Sequence, residues 1–147
     1  VLSIFKDVDV QSQLIIKEIV KPLPGVEALL LKLQQKKIAI AIATTDLTSS
    51  AQLAMKSVGL FSYFDEIAGS DLVASDKPNP DLVDYLCEKM MIQKSKVLVI
   101  GDSIVDLEMA ESAKVNFVGV KTGLHSPQFI ERSKILFNNA IDLQSLF

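Results

Sequence analysis

One cysteine and one histidine are all that the 147 residues hold. Cys87 alone can build neither an internal disulfide framework nor a cysteine metal cluster. His125 alone cannot make the two- or three-histidine zinc sites of metalloenzymes. A surplus of positive charge is missing as well. The 15 basic and 18 acidic residues leave a formal charge of −3, so binding to a nucleic-acid backbone has no electrostatic support. No apolar run approaches the ~20 residues of a membrane span. The first residues lack the basic region followed by an apolar run that marks a secretory signal. A reducing compartment is compatible with the lone cysteine, and the cytoplasm is the expected location, with neither membrane nor nucleic acid as a partner.

What is present reads as one globular unit. Hydrophobic residues make up 49% and charged residues 22%, close to the globular average. A chain of this length is one domain and can bury roughly two thirds of its unfolded surface. Three short apolar runs read as strands: residues 38–43 (IAIAIA), 97–100 (VLVI) and 117–120 (FVGV). None alternates apolar with polar. Continuous apolar strands are covered on both faces, which favours a parallel sheet between layers of helices.

The segments between the runs read as helices. Residues 26–35 place Val26, Leu29, Leu30 and Leu33 on one face. Residues 49–58 stop at Gly59, a glycine placed to end a helix. Residues 80–91 follow Asn79 as N-cap, with Pro80 at the first helical position. Residues 103–114 follow the second strand directly, and Ser126-Pro127 opens one more helix in the same cap-then-proline manner. Strand, helix, strand, helix is the order of a doubly wound, Rossmann-like α/β fold. Residues 1–20 fit less well. Residues 11–20 read as a helix, and Lys21-Pro22-Leu23-Pro24-Gly25 is a break, which leaves 21–147 as the core domain.

In open α/β sheets ligands bind beyond the carboxyl ends of the strands. The first run is followed by Thr44, Thr45 and Asp46, the second by Gly101, Asp102, Ser103 and Asp106, the third by Lys121, Thr122 and Gly123. Lys77 lies in the loop ahead of the Pro80 helix. A strand-end threonine backed by helix amides can hold phosphate oxygens. A lysine is a point charge suited to phosphate, and Asp102 and Asp106 are hard oxygen donors of the kind Mg²⁺ takes. Taken singly each has a plainer reading: Asp102 as a helix cap, Lys77 as a solvated charge, Thr44 as structural. Cys87 reads as a packed side chain and His125 as a surface residue.

Taken together, the apolar strand with Thr44, the Lys77-Pro78-Asn79-Pro80 loop, and the strand ending in Gly101-Asp102-Ser103-x-x-Asp106 resemble the haloacid dehalogenase superfamily, in its phosphoglycolate-phosphatase-like branch. Residues 22–33 (PLPGVEALLLKL) look like that branch's lead into the core. Val58-Gly59-Leu60-Phe61 with Tyr63-Phe64-Asp65 looks like its stretch after the second motif. The resemblance implies a Mg²⁺-dependent phosphatase acting on a small phosphorylated metabolite through an aspartyl phosphate. In it Thr44 binds the transferring phosphoryl group, with Thr45 beside it. Lys77 neutralises phosphate and nucleophile, Asp102 ligates Mg²⁺, and Asp106 supports the metal site.

Thr45-Asp46 depart from the more usual Asn-Ser-like pair, which touches substrate fit. The larger departure is at the start, where the family closes its first strand with D-x-D-G-T. Here Lys6 precedes Asp7-Val8-Asp9-Val10-Gln11, without the glycine and threonine. Two readings stay open. Asp7 and Asp9 are a degenerate first motif, nucleophile and acid/base. Or residues 1–20 are the tail of a helical cap and the nucleophile lies elsewhere, which leaves a phosphate- and Mg²⁺-binding domain without catalysis. A receiver-type phosphoacceptor domain does not fit, because its acceptor aspartate precedes its threonine and lysine, whereas here the order is Thr, Lys, Asp.

Overall fold

The structure is a computed structural model that describes residues 21–123 and 125–147. The expectations for residues 1–20, including Asp7, Asp9 and the helix at 11–20, lie outside the described residues.

Val26–Gln35 form α1, as its apolar spacing requires. Leu29, Leu30 and Leu33 are buried, and Gly25 ahead of it takes a positive φ of 84°. Then follow β1 (Ala41–Ala43), α2 (Thr48–Ser57), β2 (Glu66–Ala68), α3 (Asp81–Met90), β3 (Leu98–Gly101), α4 (Ile104–Ala113), β4 (Asn116–Val120), α5 (Pro127–Arg132), β5 (Leu136–Phe137) and α6 (Ala140–Leu143). Gly59 ends α2 with φ 75°. Ser126 caps α5 by accepting the Phe129 N–H, with Pro127 in the first turn.

Every described strand pair is parallel, as the unbroken apolar runs imply, but the strands divide into two ladders. β1 pairs with β2, with Ala41 opposite Glu66 and Ala43 opposite Ala68. β3 pairs with β4, and β4 with β5. The expected strand at 38–43 shortens to its last three residues because β2 offers only three partners. Ahead of them the Ile40 N–H turns to the Asp65 carboxylate at 2.8 Å.

Helices cover both faces. On one, Leu29 and Leu33 of α1 pack with Val118, Val120, Ala140 and Leu143, joined by Ile40 and Leu98. On the other, Leu82 and Val83 of α3 pack with Met109 and Ala113 of α4, joined by Ala43 and Val99. Leu98 and Val99 thus face opposite layers, as consecutive strand residues must.

One cap differs from expectation. Pro80, not Asn79, occupies the N-cap of α3, and the helix begins at Asp81. Asn79 is drawn back into the loop, where its N–H and side-chain amide both donate to the Asp76 carbonyl at 3.0 Å.

Candidate active site

The carboxyl ends of β1, β3 and β4 meet around a cavity of about 330 Å³. Ala43, Ile100, Gly101 and Val120 line it together with Lys77, Asp102, Asp106 and Thr122. Four of the polar residues singled out at strand ends or in the Lys77 loop are thereby on one rim. Thr44 follows Ala43 at the same end but is not part of the lining. Its N–H continues the ladder to Ala68 at 3.0 Å. Its hydroxyl accepts the Asp46 N–H at 3.1 Å and donates to the Asp46 carboxylate at 3.4 Å. Thr45 is exposed.

Lys77 and Asp106 form the best-sheltered ion pair among the described residues: 2.7 Å, with side chains 11% and 13% exposed. The other Asp106 oxygen accepts the Ser103 hydroxyl at 2.6 Å. Ser103 is the true N-cap of α4, taking the Asp106 N–H. Both Asp106 oxygens are therefore engaged inside the chain, and the residue steadies Lys77 rather than presenting an open face. Gly101 makes this possible, because a Cβ there would stand 2.4 Å from the Asp106 Cβ.

Asp102 is placed differently. Ser103 holds the cap, so Asp102 is not the helix cap that it could have been on sequence alone. Its Oδ2 accepts the Thr122 hydroxyl at 3.3 Å. Its carboxylate lies against Gly123, where a Cβ would sit 2.7 Å from the same oxygen. Among the described residues no group of three or more acidic, histidine or cysteine side chains could hold a metal ion. Asp102 alone is a fitting but partial donor for Mg²⁺, which takes several oxygen ligands.

The two plainer expectations hold in part. Cys87 packs half-buried beside the α3–α4 cluster, and burial pushes its thiol pKa up, the opposite of an activated nucleophile. His125 is half-buried rather than a free surface side chain. Its ring stacks on Phe129 at 6.4 Å, and its Nδ1 has no partner among the described residues.

One cluster carries no local sequence signal. The N-cap position of α2 is Leu47, which has no capping side chain. Asp71, 23 residues beyond Thr48, supplies the cap: one oxygen accepts both the Thr48 N–H at 2.7 Å and its hydroxyl at 2.8 Å. The Thr48 backbone N–H first, and its hydroxyl second, lower the Asp71 pKa. Thr48 Oγ in turn accepts the Gly69 N–H at 2.9 Å, and Ser70 donates to the Asp46 carbonyl at 3.0 Å. Residues 69–71 are thus knotted to the loop that follows Thr44.

A family profile described as haloacid dehalogenase-like hydrolase matches residues 5–120. A phosphoglycolate phosphatase of Pasteurella multocida is 32% identical over 111 residues, 76% of this chain and 50% of that protein. A phosphorylated carbohydrates phosphatase of Thermotoga maritima is 30% identical over 110 residues, 75% and 51% of the two. The crystal structure of a hydrolase from Pseudomonas syringae superposes with a TM-score of 0.75 at 29% identity, covering 84% of this chain and 60% of that one. The chain spans about half the length of the curated relatives it matches. With the profile matching well over half of its residues, and with the fold in agreement, the chain belongs to the haloacid dehalogenase-like hydrolases.

Proposed function

We propose that residues 21–147 are the core of a Mg²⁺-dependent phosphoric monoester hydrolase acting on a small phosphorylated metabolite. The observation that carries this reading is the convergence of Lys77, Asp102 and Asp106 on one cavity at the carboxyl ends of β1 and β3, in a chain of this family. Lys77 holds and neutralises phosphate oxygens. Asp106 and Ser103 fix the position of Lys77. Thr44, with Thr45, binds oxygens of the phosphoryl group from the β1 side. Asp102 contributes a carboxylate to Mg²⁺, which when bound offsets charge on the transferring group.

In the family's route a carboxylate oxygen attacks phosphorus in line as the ester P–O bond breaks, and the leaving oxygen takes a proton. Water then hydrolyses the acyl phosphate. The cavity lining among the described residues offers only Asp102 and Asp106 as carboxylates, so the attacking one comes from outside them. That observation also favours a second reading, a domain that binds phosphate and Mg²⁺ without turnover.

Titration calorimetry with inorganic phosphate and with Mg²⁺ separates the site from its surroundings. Lys77→Ala is expected to weaken phosphate by about tenfold or more, the scale of a charge-assisted contact. Asp102→Asn is expected to weaken Mg²⁺ and leave phosphate alone nearly unchanged. Unaltered affinities in both variants would remove the basis of the proposal.

A further inference from the structure

Four helices close with the same turn. Just past each, one residue takes a positive φ and the next N–H reaches back five residues. Ile38 donates to the Leu33 carbonyl after α1, Leu60 to Met55 after α2, Ile92 to Cys87 after α3 and Val115 to Ala110 after α4, all at 2.9–3.0 Å. Glycine suits the positive-φ place, because a Cβ is strained in the left-handed region. α2 has Gly59 there. The other three turns carry Lys37, Met91 and Lys114, at φ 56°, 56° and 59°.

These three turns lead into β1, β3 and β4. The carboxyl ends of those strands share the rim of the candidate site, so the turns lie together at the opposite, amino end of the sheet. Met91 is 92% exposed there, and Lys37 and Lys114 are exposed beside it. Lys36, Lys89, Lys94 and Lys96 are exposed at the same end. Among the described residues only Lys94 of these lysines is in an ion pair, with Asp84 at 2.5 Å. Residues 1–20 hold Asp7, Asp9 and Glu18 against Lys6 and Lys17, so even together with Glu88 they leave this face positive. Carboxylates bound it: Asp65 and Glu66 ahead of β2, and Glu111, paired with Arg132, on the α4 side. A lysine in the last helical turn answers the helix dipole, and α1 and α3 have Lys32 and Lys89 for that. The dipole therefore accounts for neither Lys37 nor Met91.

We propose that the amino-end face is a docking surface for a short acidic segment of a partner protein, with carboxylates on either side of one apolar residue. The apolar residue rests on Met91, whose unbranched thioether adapts to irregular partners. The carboxylates meet Lys37, Lys96 and Lys114 around it. The width of the face selects this partner. β3 and β4 stand about 4.8 Å apart, so the basic area spans a few strand widths before Asp65, Glu66 and Glu111 begin. A bilayer or a long nucleic acid would extend over those carboxylates and meet a chain of net charge −3. A segment of a few residues stays within the lysines. The face lies at the far end of the strands from Lys77 and Asp102, and the inference is independent of the phosphatase reading.

The test titrates the full chain with the blocked peptide Glu-Glu-Leu-Glu-Glu and follows backbone amides by NMR. Shifts are expected at Lys37, Met91, Lys96 and Lys114, with affinity falling about tenfold between about 0.05 M and about 0.5 M NaCl. Replacing the leucine of the peptide by serine is expected to weaken binding, and Lys-Lys-Leu-Lys-Lys is expected not to bind. Lys37→Gly, Met91→Gly and Lys114→Gly relieve the positive-φ strain, so the triple variant is expected to keep or raise the urea midpoint while binding the peptide about tenfold more weakly. Four results would overturn the proposal. One is no shift at these residues at millimolar peptide. Another is unchanged binding by the triple variant. A third is a lower urea midpoint in that variant, which would mean that the three side chains serve the fold. The last is tighter binding of phosphatidylglycerol vesicles or of an oligothymidylate than of the peptide, which would make the face a membrane or nucleic-acid surface instead.

Discussion

Lys77, Asp106 and Ser103 show how one residue's chemistry is set by its neighbours. Asp106 is the third residue of α4 and Ser103 its cap, an arrangement close to a capping box in which side chain and backbone satisfy one another. The carboxylate then has one oxygen to give to Lys77. An ion pair this sheltered costs much more to break than a surface pair, because the surviving charge is left without a partner away from water. Asp106→Ala is expected to cost about 3 kcal/mol of stability, and Ser103→Ala about 1 kcal/mol through the lost cap. Urea unfolding of the two variants measures both. An Asp106→Ala loss no larger than that of Ser103→Ala would mean that the pair acts like a surface salt bridge.

At the scale of elements, α2 depends on a residue far from it in sequence. Its own cap position holds Leu47, and Asp71 supplies the acceptor. The Thr48 N–H and hydroxyl stabilise the charged carboxylate, so the folded-state pKa of Asp71 lies below its unfolded value of about 3.9. A depressed carboxylate contributes stability that is fully present above the unfolded pKa and is lost as pH falls through the folded one. Wild type should therefore exceed Asp71→Asn in urea midpoint at pH 6, and the gap should close on acidification below pH ~4. A gap that persists unchanged at pH 2 would show that charge plays no part in the cap.

Elements differ in how far the sequence reveals them. α1 and α5 were legible because period, cap and breaker agree locally: Leu29, Leu30 and Leu33 on one face, Ser126 then Pro127 at a start. β2 was not, because Glu66-Ile67-Ala68 is too short and too mixed to show a period, and it exists only by pairing with β1. β5 is two residues long and depends in the same way on β4. The start of α3 slipped by one residue because Asn79 had a competing acceptor in the Asp76 carbonyl. At the site, Lys77, Asp102 and Asp106 were legible from their order along the chain. The Asp106–Lys77 pair and the Asp102–Thr122 contact were not, since Ser103, Gly101 and Gly123 set them at distances no spacing rule encodes.

For the molecule as a whole, binding and turnover need not go together. The described residues supply a lysine, a threonine and two aspartates, one of them committed to Lys77. On the proposed reading that set holds phosphate, and the covalent route needs one more carboxylate. Within this chain the candidates are Asp7 and Asp9, where Lys6 interrupts the apolar run and the glycine and threonine of D-x-D-G-T are missing. Phosphate monoesters are among the slowest substrates in water, needing accelerations of up to ~10²¹, and loss of a nucleophile elsewhere leaves only a residual background. The 147-residue chain is therefore expected to bind inorganic phosphate in a Lys77-dependent way while turning over an aryl phosphate with Mg²⁺ at background rate. Asp7→Asn should then change neither quantity, and Lys77→Ala should reduce binding alone. Robust turnover abolished by Asp7→Asn would make Asp7 the nucleophile and the chain a self-sufficient enzyme. Turnover that survives both substitutions would place the chemistry away from this cavity altogether.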